Sequence, residues 1–343
     1  MNKSQSRVNL LGMTTSEIEA LVQSAGQPRF RGRQIAGWLY KRNANSIEDM
    51  SDLPTAFRAK LGELATLFRS KIATSNASPD GTTKFLLELE DGERIESVLL
   101  PYKDRVSVCL SSQVGCAAGC VFCATGIGGM VRNLGAGEIV DEVLTLQRES
   151  AKRISHVVYM GMGEPLLNYD NVLKSVHLLS DEVGIAMRHI TVSTVGITPK
   201  IEDLAREDLQ LTLAVSLHAP NDLLRNKLIP IASRYPLAQL LRVCREYTSK
   251  TRRRITFEYM LIGGVNDSVA LAKEVVALLR GMLCNVNLIP YNAVEGVPMK
   301  RPTQPQIKAF RAVLEDGGID VTQRMERGHS ISAACGQLRR RNS

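Results

Sequence analysis

Three cysteines in one short stretch, Cys116, Cys120 and Cys123, are spaced C-x3-C-x2-C. Thiolates that close in sequence can all reach one soft metal centre, which points to an iron–sulfur cluster or to zinc. A structural zinc site takes four protein ligands, and no second CxxC pair is present to complete one. A four-iron cubane held by three thiolates keeps one iron free for another ligand, as catalytic metal sites keep an open position. Gly115 and Gly119 suit such a loop, where the chain must bend sharply and approach the metal closely.

Further residues downstream have the chemistry to hold a polar ligand. In Tyr159-Met160-Gly161-Met162-Gly163-Glu164-Pro165 the glycines let the backbone approach a ligand, and the carboxylate can accept hydrogen bonds from an ammonium. Ser193 lies in Ile190-Thr191-Val192-Ser193-Thr194, and Ser216-Leu217-His218-Ala219-Pro220 and Pro290-Tyr291-Asn292 follow. Taken alone, a histidine such as His218 is more often structural than a ligand. Two more sulfurs stand apart: Cys109, seven residues before Cys116, and Cys335 in Ala333-Ala334-Cys335-Gly336-Gln337-Leu338. A thiolate is a strong nucleophile whose availability depends on its ionisation. Glu96, in Arg94-Ile95-Glu96-Ser97-Val98, shares a strand face with Val98 and Leu100. Burial there would make it a better base; an ordinary surface glutamate is the competing reading. Cys244 and Cys284 fit no motif and read as buried core thiols.

These residues need a scaffold, and the chain supplies an alternating one. From Arg105 onward, strands are expected at 105–110, 154–160, 188–194, 210–217, 254–261, 284–290 and 319–325. Helices are expected near 136–151, 168–182, 198–206, 236–249, 266–281 and 304–316. About six βα units predict an α/β fold, a partial (β/α)6 barrel, with polar residues at the C-terminal strand ends where barrel sites are built. Residues 71–104 form an extension in which TTKFLLELE and ERIESVLL flank Asp91-Gly92, a two-residue hairpin turn. Residues 1–70 read as a small helical accessory domain, opened by the capping-box pattern Thr14-Thr15-Ser16-Glu17. A second helix is expected at Gly32–Arg42, and a third begins near Pro54. Arg29, Arg31, Arg33, Lys41 and Arg42 there are interleaved with Phe30, Trp38 and Tyr40, with no acidic residue between Pro28 and Ser46. Cations with stacking faces suit unpaired RNA; the alternative is that the aromatics are core and the arginines solvated.

The cysteine spacing resembles the signature of radical S-adenosylmethionine (radical SAM) enzymes, whose core is such a barrel. The GEP run is similar to that superfamily's motif for the SAM amino group. With CLSSQVGC and AACGQL added, nearly the whole chain resembles the RlmN/Cfr-type RNA adenosine methyltransferases. The resemblance implies a [4Fe-4S] cluster on Cys116, Cys120 and Cys123, and S-adenosyl-L-methionine held by Gly163, Glu164, Ser193, Ser216, Leu217, His218 and Asn292. It also implies Cys335 as methyl carrier, Cys109 as resolving thiol and Glu96 as proton acceptor, a step that Cys109 could take itself, with core residues 105–343. The chemistry has a reason. Adenine C2 is electron-poor and cannot attack a sulfonium methyl, whereas a thiolate can. In the implied cycle Cys335 takes the methyl, and a radical from a second SAM removes hydrogen from it. The carbon then joins C2, and Cys109 attacks the Cys335 sulfur to release product, leaving a transient disulfide that must be reduced.

The implied substrates are 23S rRNA at the peptidyl-transferase centre and tRNA beside the anticodon. The implied electron source is a low-potential donor such as ferredoxin or flavodoxin. Methylation at C8 of the same ribosomal adenosine shares this cysteine framework and stays open. A non-catalytic iron–sulfur or zinc RNA-binding protein would release no 5′-deoxyadenosine. A radical SAM enzyme acting on protein or small molecules would leave AACGQL unexplained. The 343 residues carry net charge +8, compatible with a polyanionic partner, and 44% hydrophobic residues without a run of membrane-span length. With no signal-peptide pattern and seven cysteines, a cytoplasmic monomer is expected, its thiols serving metals or catalysis. The Arg252-Arg253-Arg254 run and the Arg339-Arg340-Arg341 tail are further candidates for phosphate contact, against solvated charge.

Overall fold

A computed structural model describes residues 7–324, 328, 331 and 333–338 of the chain. The last residue of the expected 319–325 strand and the Arg339–Arg341 tail lie outside them. In the N-terminal part, strand β1 (Val8–Asn9) pairs in parallel with β2 (Ala65–Thr66). Between them lie α1 (Thr15–Ser24), α2 (Phe30–Ala36) and α3 (Thr55–Leu64). The capping box forms as expected: the Thr14 side chain accepts from the Glu17 N–H, and the Glu17 carboxylate accepts from the Thr14 N–H. Pro54 precedes α3. Helix α2 continues as a wide π turn over Gly37–Lys41, so the expected second helix is present but changes pitch.

The rest is built on one ten-stranded sheet, with a separate two-stranded hairpin. Its antiparallel part is a meander of β3 (Lys71–Ala77), β4 (Thr83–Glu88) and β5 (Arg94–Pro101). The turn differs from expectation. Leu89 donates its N–H to Glu93, and Gly92 donates to Leu89 with its own φ at 82°, so three residues rather than two make the bend. Strand β5 then pairs antiparallel with β6 (Val106–Cys109). After β6 the chain makes a small hairpin, β7 (Gln113–Gly115) and β8 (Met130–Asn133), around α4 (Ala124–Ile127).

The parallel part follows as β9 (His156–Tyr159), β10 (Ile190–Thr194), β11 (Thr212–Ser216), β12 (Ile255–Leu261), β13 (Cys284–Pro290) and β14 (Asp320–Gln323). They lie side by side in chain order after β6. The intervening helices are α5 (Ala136–Glu149), α6 (Tyr169–His177), α7 (Thr198–Leu204), α8 (Asp222–Leu228), α9 (Leu237–Thr251), α10 (Val269–Leu279) and α11 (Gln304–Asp316). Apart from α8, which neither spacing nor length betrayed, each was expected. The sheet edges are β14 and β3, so the barrel is open, as a partial barrel must be. The parallel strands read as apolar runs because both faces are covered; Val157, Val192, Leu213, Phe257 and Leu288 form the core.

The N-terminal part is fastened to the barrel. Arg69 pairs with Asp141 on α5 at 3.0 Å, both nearly buried, and the Ser70 N–H donates to the same carboxylate. Thr15 donates twice to Glu182, and Asn43 donates to the Leu144 carbonyl. Gly12 and Gly137 meet directly: a Cβ on either would lie within 2.7 Å of backbone atoms of the other segment. No helix of the described residues is long and apolar enough to cross a membrane.

Candidate active site

The cysteine loop leaves β7 by a backbone only glycine takes easily. Gly115 has φ at 81° and Gly119 at 68°. A Cβ on Gly115 would sit 2.0 Å from the Gly129 carbonyl, the group that accepts from the Cys116 N–H. Across the loop lies the end of β9. Ser112 donates its N–H to the Met162 carbonyl, and the Glu164 N–H donates to Gln113 Oε1. Gly161 and Gly163 allow this approach; a Cβ on Gly163 would lie 2.6 Å from Ser112 Oγ.

Cys116, Cys120 and Cys123 line one open cleft, together with Gly163, Glu164, Ser193, Ser216 and His218. Glu164 is buried; its two oxygens accept from the Leu166 and Val195 N–H groups, and burial pushes its pKa up to about 7. His218 has φ at 56°, and its Nδ1 accepts from the Met260 N–H. Burial lowers its pKa to about 3, so the ring is neutral. It therefore does both things weighed from sequence, a structural hydrogen bond and a place in the cleft wall. Burial likewise pushes the Cys116 thiol up to about 12 and raises Cys120 well above the ordinary thiol range. The three sulfurs share a wall but do not converge into a closed ligand group among the described residues. The donor set, the glycine-permitted bends and the Cys116 sulfur accepting from the Ala118 N–H fit a thiolate-held centre.

A second, smaller cavity holds Cys109. Val98 and Leu100 line it, as does Asn292, whose buried Oδ1 has no hydrogen-bond partner among the described residues. Asn292 thus belongs to this cavity and not to the cleft wall expected for it. Leu217 lies in the core, its N–H donating to Glu258, and lines neither space. Glu96 is buried on β5, its carboxylate paired with Lys84 at 3.1 Å and its N–H donating to the Met162 sulfur. It does not line the Cys109 cavity, although its strand mates do.

Cys335 borders both spaces. The C-terminal segment is laid over the cysteine loop: the Gly336 carbonyl accepts from the Ala124 N–H, and the Leu338 carbonyl from the Thr125 hydroxyl. All seven cysteines are free, so the expected disulfide between Cys109 and Cys335 is not formed in this structure. Burial pushes Cys109 up to about 12, and burial raises Cys335, opposed by the guanidinium of Arg324.

Arg324 and Glu258 went unnoticed in the sequence. Arg324 borders both spaces and donates to the Met160 sulfur at 3.5 Å. Glu258 on β12 faces the cleft, accepts from Asn287 and is pushed by burial to about 7. Neither carries a local pattern; only the fold brings them to the sulfurs.

The basic N-terminal stretch is mixed. Arg29 and Arg33 both pair with Glu19, and Tyr40 is core, its hydroxyl donating to the Met13 carbonyl. Arg42 lies over the Trp38 ring at 4.3 Å, and Trp38 donates to Asp52. Phe30 stays half exposed beneath Arg31. Arg254 pairs with Asp320 at the other end of the barrel.

Residues 110–274 match the model of the radical SAM superfamily, and residues 8–67 match the ribosomal RNA large subunit methyltransferase N-terminal domain. A "probable dual-specificity RNA methyltransferase RlmN" of Thermosynechococcus vestitus is 50% identical, covering 96% of this chain and 98% of that one. Its counterpart in Synechocystis is 52% identical over 96% of this chain and 94% of its own. The crystal structure of a radical SAM methyltransferase from Sphaerobacter thermophilus superposes with a TM-score of 0.93 at 47% identity, over 97% of this chain and 99% of that one.

Proposed function

The chain belongs to the RlmN family of radical SAM methyltransferases, and on that premise we propose that it methylates adenosine at C2, in 23S rRNA at the peptidyl-transferase centre and in tRNA beside the anticodon. The observation that carries this reading is the position of Cys335, which borders both the cleft of the three spaced cysteines and the cavity of Cys109. A carrier sulfur has to meet a methyl donor on one side and a resolving thiol on the other.

In this reading Cys116, Cys120 and Cys123 hold a [4Fe-4S] cluster. Glu164 receives the amino group of S-adenosyl-L-methionine, while Gly163, Ser193, Ser216 and His218 form the remaining wall. A cluster held there would supply the electron for cleavage of the sulfonium, drawn from a low-potential donor of the ferredoxin or flavodoxin kind. The chain's own residues do the rest. The Cys335 thiolate, favoured by the nearby Arg324 cation, attacks the methyl carbon of SAM; the sulfonium S–CH3 bond breaks and S-adenosylhomocysteine leaves with the electron pair. After the 5′-deoxyadenosyl radical from a second SAM has taken a hydrogen atom from the S-methyl group, the carbon joins adenine C2. One electron then returns to the donor side, and the C2 proton passes to Glu96, once its ion pair with Lys84 opens toward the base, or to Cys109 itself. The Cys109 thiolate then attacks the Cys335 sulfur: the S–S bond closes, the S–CH2 bond breaks, and the carbon keeps the electron pair and takes up a proton as the methylated base departs. Leu217 and Asn292 serve the ligand through their neighbours: Leu217 by fixing its turn, Asn292 from the adjoining cavity. The same reading divides the chain into an RNA-contacting unit at 1–70, a β extension at 71–104 and the catalytic core at 105–343.

The experiment is anaerobic reconstitution with iron and sulfide, turnover with SAM, reductant and RNA, and mass spectrometry of the RNA digest. 2-Methyladenosine together with 5′-deoxyadenosine is expected. 8-Methyladenosine alone would replace C2 by C8, and neither base with only zinc bound would remove the reading.

A further inference from the structure

Arg225 on α8 is wholly buried, 0% exposed, in a place where a charge is expensive. Its Nη2 donates to the Val195 carbonyl at 2.5 Å and to the Ser216 carbonyl at 3.2 Å, so one side chain ties together the ends of β10 and β11. The clamp reaches further. Val195 donates its own N–H to Glu164 Oε2 at 2.7 Å, and Val195, Ser216 and Glu164 all face the cleft. Gly196 leaves the space: a Cβ there would lie 3.3 Å from Arg225 Nη2.

The other half of the guanidinium is unmatched. Nε and Nη1 have no hydrogen-bond partner, and no carboxylate stands within ion-pair distance among the described residues. Helix α8, which carries Arg225, is seated against the cysteine loop, the Leu228 carbonyl accepting from the Val121 N–H at 3.1 Å.

We propose that Arg225 is a positioning residue: by bridging the Val195 and Ser216 carbonyls it fixes Ser216 and, through the Val195 N–H, Glu164 for the amino-acid end of S-adenosylmethionine. The inference rests on the SAM assignment of the preceding subsection.

The test uses the full chain, reconstituted anaerobically. SAM affinity is read by equilibrium dialysis, iron content by its absorption, and folding by thermal melting. Arg225→Lys keeps the charge but cannot bridge two carbonyls, and Arg225→Gln shortens the reach as well; in both, SAM affinity is expected to fall about tenfold or more while iron content holds. A lysine variant whose SAM affinity is unchanged, or falls only together with its iron content, overturns the inference. Should the glutamine variant fail to fold, the lysine variant decides alone. A wild-type chain that assembles its cluster but binds no SAM defeats the SAM assignment itself.

Discussion

Cys335 and Cys109 are the residues on which the proposed reaction turns, and their variants should fail differently. Cys335→Ala is expected to abolish methyl transfer to protein and RNA alike while the iron content holds; retained RNA methylation would remove the carrier. Cys109→Ala is expected to accumulate a covalent protein–RNA adduct on a denaturing gel, since nothing opens the thioether. Full turnover would contradict the release step. His218 gives a prediction about pH. Its pKa is near 6.5 in an unfolded chain and about 3 in the fold, because burial opposes the charged ring. Between these values the unfolded chain binds a proton that the fold does not. The stability owed to a neutral His218 is therefore complete above about pH 6.5 and is lost as pH falls toward 3. His218→Asn should flatten the acid limb of a melting-temperature profile, and parallel limbs would contradict this. The cysteines, Glu164 and His218 were legible because each sits in a short motif. Arg225, Glu258 and Arg324 were not, because nothing local distinguishes a buried charge from the many solvated ones; their meaning comes from strands far apart in sequence.

At the scale of elements, what could be read was what is long and periodic. The parallel strands and their helices announced themselves by apolar runs alternating with amphipathic stretches. The pieces that escaped are short: the β7–β8 hairpin, α8, the outer strand β3 and the π turn over Gly37–Lys41. Strand β3 is exposed along its length, so no alternation of apolar residues marks it. The hairpin is specified by glycine contacts instead, which makes it brittle. Gly115→Ala would place a methyl group 2.0 Å from the Gly129 carbonyl at a φ of 81°. The backbone conformation alone costs a non-glycine residue about 1–2 kcal/mol, and the clash adds to it. The variant should lose iron on reconstitution and melt lower; a wild-type iron content would show that the loop tolerates the shift.

For the molecule as a whole, the question is how firmly the N-terminal part is joined to the barrel. Arg69 and Asp141 are both largely buried, and Asp141 also receives the Ser70 N–H. Removing one partner of a buried pair typically costs about 3–5 kcal/mol. Asp141→Ala should lose about that much in denaturant unfolding, or split the transition in two if the parts come apart before they melt. A loss under 1 kcal/mol would mean the pair is dispensable. This seam could not be foreseen, because its partners are separated by the entire β extension. It also bears on the substrate. Where Gly12 and Gly137 touch backbone to backbone, no lever arm is left for one part to swing on the other. An enzyme jointed so stiffly acts as a gauge rather than a hand: the accommodation falls to the nucleic acid, whose target nucleotide has to leave its stack to arrive where the sulfur waits.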